Sequence, residues 1–351
     1  MSTAYDTFLA KLYENTPEAR QNLASLNGLL DKASNGSESE SYNAQGLILK
    51  AFEQPLRQGT LYGDIVTSLY KQVPQDKKTG RYVEFPLDII APGSEKNHVG
   101  YTIPKTGYIP HRMAEGDYSR IDVYKVANSI TLSLDIVGDS RWDIVSRAME
   151  VMEAGIVKKL NDDGMHVILA AAADRNILVF DSDALAGQFT RRLVSLMSTT
   201  MRRNGGGNST SVNRGKLTHM LCSPEMFEDV RNFNINQVSD ITRAQIFNMS
   251  DENIANLFGD VKLVAIDELG VGQEYQNYYT NVLGGSMAAS DEEIIVGLDL
   301  IRPYGLTMPV VGGLETFVDD NLHRHQQMGY YCWRRVGFGC LDNRVVLLAS
   351  A

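Results

Sequence analysis

Several short stretches of this 351-residue chain come close to known catalytic or ligand-binding motifs. Gly270-Val271-Gly272 follows a predicted strand, as in a dinucleotide fingerprint, but Tyr275 stands where the third glycine should be. Gly215-Lys216 is similar to the end of a phosphate loop, yet Leu217 replaces the required Ser or Thr. We therefore predict a structural turn at each place, with no clear helix opening after the first.

The other candidates for catalysis or metal binding each lack a required group. Gly284-Gly285-Ser286-Met287-Ala288 misses the last glycine of a nucleophile elbow. Asp181-Ser182-Asp183 begins like a calcium loop, but Leu185 occupies a ligand position. His323-Arg324-His325 has no Cys or carboxylate at ligand spacing, which is typical of surface histidines. We predict no catalytic, cofactor-binding or metal-binding residues, no cofactor and no enzymatic activity.

Pairs of adjacent acidic or basic residues are the remaining candidates for catalysis or ligand binding. Asp162-Asp163 and Asp319-Asp320 lie in polar, turn-like surroundings, where solvation is expected. Arg191-Arg192 and Arg202-Arg203 could meet phosphate, although the second pair closes a predicted helix whose C-terminal end favours cations. A chain of this length without a catalytic constellation points to a structural role.

The composition is that of a folded protein, at 43% hydrophobic and 22% charged residues. The length predicts one multi-lobed unit or two domains. No apolar run approaches the roughly 18 residues that span a bilayer, and residues 1–6 lack the parts of a signal peptide. Cys222, Cys332 and Cys340 fit a reducing compartment. The net charge of −10 provides no basic field for nucleic acid. These features predict a soluble cytoplasmic product without a membrane partner.

The longest predicted element is a helix over residues 139–173, and we expect the rest of the chain to be arranged around it. Its start offers N-cap residues and an acid in the first turn. Apolar residues recur three or four apart, at a helical period, up to residue 160. Asn161-Asp162-Asp163-Gly164 is predicted to bend or interrupt the helix, with a second, more buried helix over 165–173.

The N-terminal third predicts an arm and a long excursion. Residues 1–62 read as helices joined by a polar linker over 34–41, and the arm can lie on its own chain or on a neighbour. A strand over 82–87 precedes a stretch over 96–120 that is rich in Gly, Pro, Tyr and charge. Strand character then returns over 121–136. An isolated hairpin of this length is marginal in water, so we expect it to rest on another subunit.

The second half predicts alternating short elements. They are a helix over 183–203, a strand over 217–222, a Ser-capped helix from Ser223-Pro224-Glu225 to Arg231, strands over 261–266 and 293–298, and a terminal hairpin formed by 329–338 and 344–348 around a turn at 341–343.

This order of elements resembles the major capsid protein of tailed bacteriophages, the Hong Kong 97 phage-type fold that encapsulins share. The segments that carry the resemblance are Ile130–Ile136 leading into the long helix, Met220–Phe227, and Arg335–Leu348. The likeness is one of layout over about residues 1–351. It implies an α+β fold with an N-terminal arm, an extended loop, a peripheral domain built on a long spine helix, and an axial domain.

The resemblance also implies domain boundaries. These are 1–62 for the N-terminal arm, 63–128 for a strand and the extended loop, 129–235 for the peripheral domain with the spine helix at 139–173, 236–317 for the axial domain, and 318–351 for C-terminal strands that return to the peripheral domain.

The implied function is that of a structural subunit. It would self-assemble into hexamers and pentamers that form an icosahedral head around double-stranded DNA, without sequence-specific binding. Its partners would be copies of itself, with scaffolding, portal and decoration proteins as further candidates, in a virion assembled in the host cytoplasm. Some relatives cross-link covalently, for which Lys96 or Lys105 with Asn343 would be the candidates; we predict no cross-link. An encapsulin-like compartment and an α+β enzyme with an unrecognised site remain the alternatives.

Overall fold

The computed structural model describes residues 32, 64–76, 80–86, 118–133, 142–184, 187–204, 214–231, 254–257, 261–287, 289, 292–302, 305–319, 325 and 327–351. The predicted arm helices, the linker over 34–41 and nearly all of the extended stretch over 96–120 lie outside these residues. The arm and its contacts therefore stay predictions.

The described elements mix helices and strands along the whole chain, and the α+β prediction is confirmed. They are α1 (Val66–Leu69), β1 (Lys71–Gln75), β2 (Tyr82–Pro86), β3 (Tyr118–Asp122), β4 (Tyr124–Ser133), α2 (Trp142–Arg175), β5 (Leu178–Phe180), α3 (Arg191–Asn204), β6 (His219–Cys222), α4 (Pro224–Arg231), β7 (Ile254–Leu257), β8 (Val261–Ala265), α5 (Glu274–Asn277), a π-helix (Tyr278–Val282), β9 (Ile294–Leu298), β10 (Leu306–Asp319), β11 (Gln327–Val336), β12 (Gly339–Cys340), a 3-10 turn (Asn343–Val345) and β13 (Val346–Ser350).

The chain divides into two compact units. Unit 1 takes its residues from Met1–Val83, Asp122–Gly164 and Met308–Gly337, and unit 2 takes its residues from Glu84–Ile121, Met165–Thr307 and Phe338–Ala351. Helix α2 supplies residues to both units. The domain boundaries implied by the resemblance remain a prediction.

Unit 1 is built on an antiparallel sheet with strand order β1-β10-β11-β4. β11 pairs with β4 along its whole length, from Gln327 opposite Ser133 to Val336 opposite Tyr124. Met328, Tyr330, Cys332 and Val336 of β11 are buried, whereas Tyr331 and Trp333 between them are partly exposed, so one face of the sheet is better covered than the other. Helix α2 approaches β4 closely, since the side-chain amide of Asn128 donates to the Met152 carbonyl at 2.8 Å.

Helix α2 runs without a break from Trp142 to Arg175. The predicted interruption at residues 161–164 is therefore wrong, and the segment over 165–173 is part of the same helix. Residues 139–141, where the start was predicted, lie outside the described part of the chain.

Polar groups around the predicted break are occupied by tertiary contacts. Asn161 Oδ1 accepts a hydrogen bond from a backbone N–H of α1 at 3.3 Å. Asp163 Oδ2 accepts from the Tyr124 hydroxyl at 2.8 Å, and the Gly164 carbonyl accepts from the Tyr70 hydroxyl at 2.6 Å. Because these side chains are used elsewhere, they do not compete locally with the helical backbone, which is how Asn and Asp usually end a helix.

Unit 2 contains a six-stranded mixed sheet with strand order β5-β13-β9-β6-β8-β7. β6 lies parallel to β8 and antiparallel to β9. Helix α3 packs against β5 and β13, and α4 packs against β8. The core between these layers is apolar and includes Met197, Met220, Leu263, Ile295 and Leu347. The strands predicted over 217–222, 261–266 and 293–298 are confirmed as β6, β8 and β9.

Helix α3 begins eight residues later than predicted, at Arg191 rather than residue 183. Thr190 caps it, since its Oγ1 accepts the Leu193 N–H at 3.2 Å. Asp181 accepts the Thr190 hydroxyl at 2.7 Å and the backbone N–H of Asp183 at 3.2 Å. These local bonds hold the preceding residues in a turn, which explains why the helix does not extend back to 183.

The predicted terminal hairpin is wrong. β11 lies between β10 and β4 in unit 1, so both of its edges are already paired. β13 belongs instead to unit 2, where it pairs antiparallel with β9 and parallel with β5. The turn after Leu341 therefore passes the chain from one sheet to another.

The strands on either side of the predicted excursion do pair. β2, which confirms the strand predicted over 82–87, forms a two-stranded sheet with β3. Arg120 Nε and Glu84 Oε1 lie 2.9 Å apart across this pair. The residues between the two strands, 87–117, lie outside the described part of the chain.

Candidate assembly surfaces

The glycine pair that resembled a dinucleotide motif forms a turn. Gly270 has φ +130° and Gly272 has φ +76°, both of which L side chains rarely adopt. A helix does follow, contrary to our prediction: α5 begins at Glu274 and continues into the π-helix. α5 has only four residues, and Gln273 at its N-terminus makes no side-chain cap bond. The turn interpretation is confirmed.

The stretches that resemble a calcium loop and a phosphate loop also have structural roles. Arg192 forms ion pairs with the carboxylates of Asp181 and Asp183, so both acids serve the start of α3. The backbone N–H of Lys216 donates to Asp299 Oδ2 at 3.0 Å and holds the entry to β6. No group of three or more metal-ligating side chains occurs among the residues that the structure describes.

Of the paired acids and the two candidate histidines, the structure describes Asp162, Asp163, Asp319 and His325. Asp163 binds Tyr124 and forms an ion pair with Lys159, at 2.8 Å in each case. His325 is exposed, whereas residues 320–324 lie outside the described part of the chain. Within the described ranges, no helix has the length and apolar character needed to cross a membrane.

Asn343, the candidate for a cross-link, lies in the 3-10 turn before β13. Its side-chain amide donates to Asp174 Oδ2 at 3.3 Å. Lys96 and Lys105 lie outside the described residues, so the prediction about a cross-link stays a prediction.

A cluster of charged side chains around this turn was not predicted from the sequence. Arg175, the last residue of α2, donates through Nη1 to the carbonyls of Asn343, Arg344 and Val346, at 3.4, 3.2 and 2.8 Å. These bonds attach the end of α2 to the start of β13. The sequence signal was only a single basic residue at a helix C-terminus.

Asp342 provides the negative charge of this cluster. It accepts hydrogen bonds from Arg302 Nη1 and Arg344 Nε, each at 2.8 Å. Burial alone would raise the pKa of Asp342, but the bonds from Arg344 and Arg302 outweigh burial and hold this pKa below its usual value. The cluster has a structural role, because both carboxylate oxygens of Asp342 accept hydrogen bonds from the two guanidinium groups.

The outer face of the unit 1 sheet carries an aromatic cluster, which we define as Phe317, Tyr331 and Trp333. Phe317 stacks on Trp333 with ring centroids 4.5 Å apart and on Tyr331 at 5.4 Å. Lys125 Nζ lies 4.7 Å from the Trp333 ring centroid. Trp333 Nε1 donates to Glu315 Oε2 at 3.0 Å. The cluster is therefore held rigidly by ring, cation and hydrogen-bond contacts.

The aromatic cluster is only partly covered, and Phe317 is 37% exposed. Because the ring faces contact one another and Lys125, they are poorly placed to stack on nucleic-acid bases. Rigid, partly exposed aromatic side chains beside a cation are typical of the anchors of protein–protein interfaces. We regard this face as the candidate assembly surface of unit 1.

Unit 2 has a cleft of about 600 Å³. It is lined by Val271, Gly272, Gln276, Asn277, Thr280, Ser286, Met287 and Ala289. None of these side chains is ionisable. Gln276 donates to the Glu292 carbonyl and Asn277 donates to the Gly272 carbonyl, each at 2.9 Å. The described lining of this cleft therefore does not include the converging, titratable groups of an enzyme site.

Comparison with known proteins gives matches in structure alone, since no family model and no curated protein sequence matches the chain. The Cyanophage Pam1 capsid asymmetric unit matches with a TM-score of 0.54 and 11% identity, covering 80% of this chain and 87% of that chain. The capsid structure of Cyanophage P-SCSP1u matches with a TM-score of 0.53 and 11% identity, covering 80% and 86%. The chain has the fold of phage capsid proteins.

A solved structure from Mycobacterium phage Bobi extends this likeness over more of the chain. Its TM-score is 0.53 at 15% identity, and it covers 90% of this chain and 97% of that one. The predicted resemblance to the capsid fold is therefore confirmed for the fold. At these identities no residue role transfers with the fold.

Proposed function

We propose that the chain is a structural subunit of the head of a tailed bacteriophage. In this proposal, copies self-assemble into hexamers and pentamers that close an icosahedral shell around double-stranded DNA. The observation that carries the proposal is the phage capsid fold, which extends over most of this chain and most of each matched chain. The subunit is structural and non-enzymatic, and it needs no cofactor.

The described residues support this role physically. A shell subunit needs several modest contacts on one body, since each contact formed raises the effective concentration for the next. The aromatic cluster of unit 1 supplies one rigid candidate contact with another copy of the chain. The net charge of −10 disfavours tight binding of packaged DNA and suits enclosure without sequence-specific recognition.

Copies of the chain itself are the principal partners. Scaffolding, portal and decoration proteins are further candidates, and the proposed site of action is the virion head, assembled in the host cytoplasm. The peripheral domain over residues 129–235 and the axial domain over residues 236–317 are part of this proposal.

Electron microscopy of the purified full-length protein, combined with light scattering, tests the proposal. We expect closed shells, or hexamers and pentamers, and DNA inside particles that form during infection. A monodisperse monomer that stays inert with neighbouring head proteins would refute it. Shells that enclose a specific protein cargo instead of DNA would favour an encapsulin-like compartment.

A pair of variants tests the contribution of the aromatic cluster. Phe317→Thr removes the partly exposed ring but keeps a residue suited to a strand, and we expect fewer assembled particles from a folded subunit. Thr131→Ala is the matched control, because Thr131 is an exposed residue of β4 in the same sheet. Equal assembly of both variants and the parent would exclude the aromatic cluster as an assembly contact.

A further inference from the structure

Helix α2 buries two carboxyl groups one turn apart in unit 1. Glu150 and Glu153 are each only 7% exposed. Glu150 Oε2 is paired with Arg147 Nη1 at 3.0 Å. Glu153 Oε2 is completely buried and, within the described part of the chain, has no hydrogen-bond partner. A buried, unpaired carboxylate would be very costly, so this position favours a neutral acid.

Among the residues that the structure describes, the groups that act on Glu153 provide no compensating positive charge. On its own helix the carboxyl of Glu150 acts on the charge of Glu153, and on β11 the charge of Glu153 acts on the thiol of Cys332. On β4 the neighbouring side chain is the amide of Asn128, which is already used at both ends. Its nitrogen donates to the Met152 carbonyl, and its oxygen accepts the Ser129 N–H at 2.9 Å. Arg147, the only cation in this set, is engaged with Glu150.

Burial first, and the Glu150 carboxyl second, raise the pKa of Glu153 to about 8. The same surroundings act on the opposite strand, where burial and the charge of Glu153 raise the pKa of the Cys332 thiol to about 11. Near neutral pH the Glu153 carboxyl therefore keeps its proton while it lies in this position.

We propose that Glu153 is a proton-dependent lock on unit 1. The packing of α2 against β4 and β11 holds while Glu153 is protonated, and loss of that proton opens the packing at Cys332. Ionised Glu153 must reach water, and because α2 lies against β4 through Asn128, it can do so only if helix and sheet separate. The lock belongs to unit 1 alone and does not depend on the proposed assembly.

The sign of the effect follows from proton linkage. The pKa of Glu153 is higher in the folded unit than the ordinary value of 4.5. The stabilisation is therefore complete below about pH 4.5 and is lost as the pH rises towards 8. Between about pH 4.5 and 8 the equilibrium constant for opening rises by up to roughly tenfold for each pH unit. Above about pH 8 the constant no longer changes.

Cys332 supplies the readout, because it is 1% exposed and lies opposite Asn128 in the sheet, whose side chain bonds to α2 at the Met152 carbonyl. The full-length protein is exposed to a thiol reagent at several pH values between 5 and 9, and labelling of Cys332 is followed by mass spectrometry. The rate for the parent is divided by the rate for Glu153→Gln at the same pH, which cancels the intrinsic reactivity of the thiol. We expect this ratio to rise by up to roughly 100-fold between pH 5.5 and 7.5 and then to level off.

Two controls separate this lock from a general effect of pH. Cys222 in unit 2 is labelled in the same molecules, and the ratio of its rate in the parent to its rate in Glu153→Gln should not change with pH. Asp122→Asn removes an exposed carboxylate of unit 1 and should follow the parent. A flat Cys332 ratio from pH 5 to 9 would overturn the proposal.

A second measurement keeps the test decisive if Glu153→Gln fails to fold. In the parent protein alone, labelling of Cys332 relative to Cys340 should increase through the same pH window, because the carboxylate that acts on Cys340 is Asp342, whose pKa is held below its usual value. The increase should be smaller in Glu150→Gln, because removal of the neighbouring carboxyl lowers the pKa of Glu153. A constant ratio of Cys332 to Cys340 labelling in the parent would likewise refute the lock.

Discussion

Removal of the Arg175 guanidinium should free the last strand of unit 2. Arg175 is partly buried, and its Nη1 atom serves three backbone carbonyls at the start of β13. The substitution Arg175→Met keeps most of the side-chain stem and removes all of these bonds. Arg175→Lys is the matched control, because it keeps the positive charge at the end of α2 but loses the planar fork.

The loss of free energy follows from the number of hydrogen bonds that Arg175 Nη1 makes. Nη1 carries two hydrogens, so three acceptors correspond to about two full hydrogen bonds. A hydrogen bond from a charged group contributes about 1.5 to 3 kcal/mol, and the partial exposure of Arg175 favours the lower figure. Arg175→Met should therefore weaken the attachment of β13 by about 3 kcal/mol, which is roughly a 100-fold change in its opening equilibrium. Arg175→Lys should lose about half of that free energy.

Hydrogen–deuterium exchange measures the local opening of β13, whereas global unfolding of two compact units would mix their transitions. We expect amides of β13 to exchange roughly 100-fold faster in Arg175→Met and roughly tenfold faster in Arg175→Lys. Amides of β4, in unit 1, should be unchanged. If β13 exchanged within twofold of the parent in Arg175→Met, the three carbonyl contacts would contribute nothing to its attachment and the reasoning would be refuted.

Three further predictions concern single contacts. Gly155→Ala should destabilise unit 1 by about 1 to 3 kcal/mol, because the new Cβ would lie 2.6 Å from Asn128 Nδ2; the loss should shrink in an Asn128→Ala background, and an unchanged loss in that double mutant would contradict it. Tyr70→Phe should cost about 1 kcal/mol, measured by thermal unfolding, because it removes the buried bond to the Gly164 carbonyl; no change in melting temperature would count against that bond. Asp342 has a lowered pKa, so its stabilisation is present above its unfolded pKa and is lost as the pH falls through the folded value. Asp342→Asn should therefore flatten the acid limb of a pH–stability profile, and an unaltered limb would exclude this role.

Features that depend on neighbours in the chain could be predicted from the sequence. The helix after Ser223 forms as expected because the cap is local: Ser223 Oγ accepts the Met226 N–H at 3.1 Å, and proline occupies the first helical position. Strands β8 and β9 were likewise visible as short apolar runs. The order of such elements was sufficient to indicate the capsid fold.

The candidate surfaces were hardly predictable, because each is assembled from distant parts of the chain. Phe317 and Trp333 are separated in sequence and come into contact only through the pairing of β10 with β11. Arg175 reaches the carbonyls before β13 from the end of α2. Neither arrangement leaves a motif with fixed spacing, so the sequence analysis could reject catalytic motifs but could not name these contacts.

The sequence by itself determined the α+β class, the long helix and the turns that mimic ligand motifs, since propensity, capping and periodicity act over a few residues. Tertiary structure decided whether α2 continues through Asn161–Gly164 and which sheet receives β13. In the first case, distant groups bond to the side chains of Asn161 and Asp163, which would otherwise compete with the helical backbone. In the second case, β11 already has a partner on each edge, so the last strand pairs with β9 and β5 instead. Both outcomes depend on hydrogen bonds between residues far apart in the chain, which no local pattern encodes.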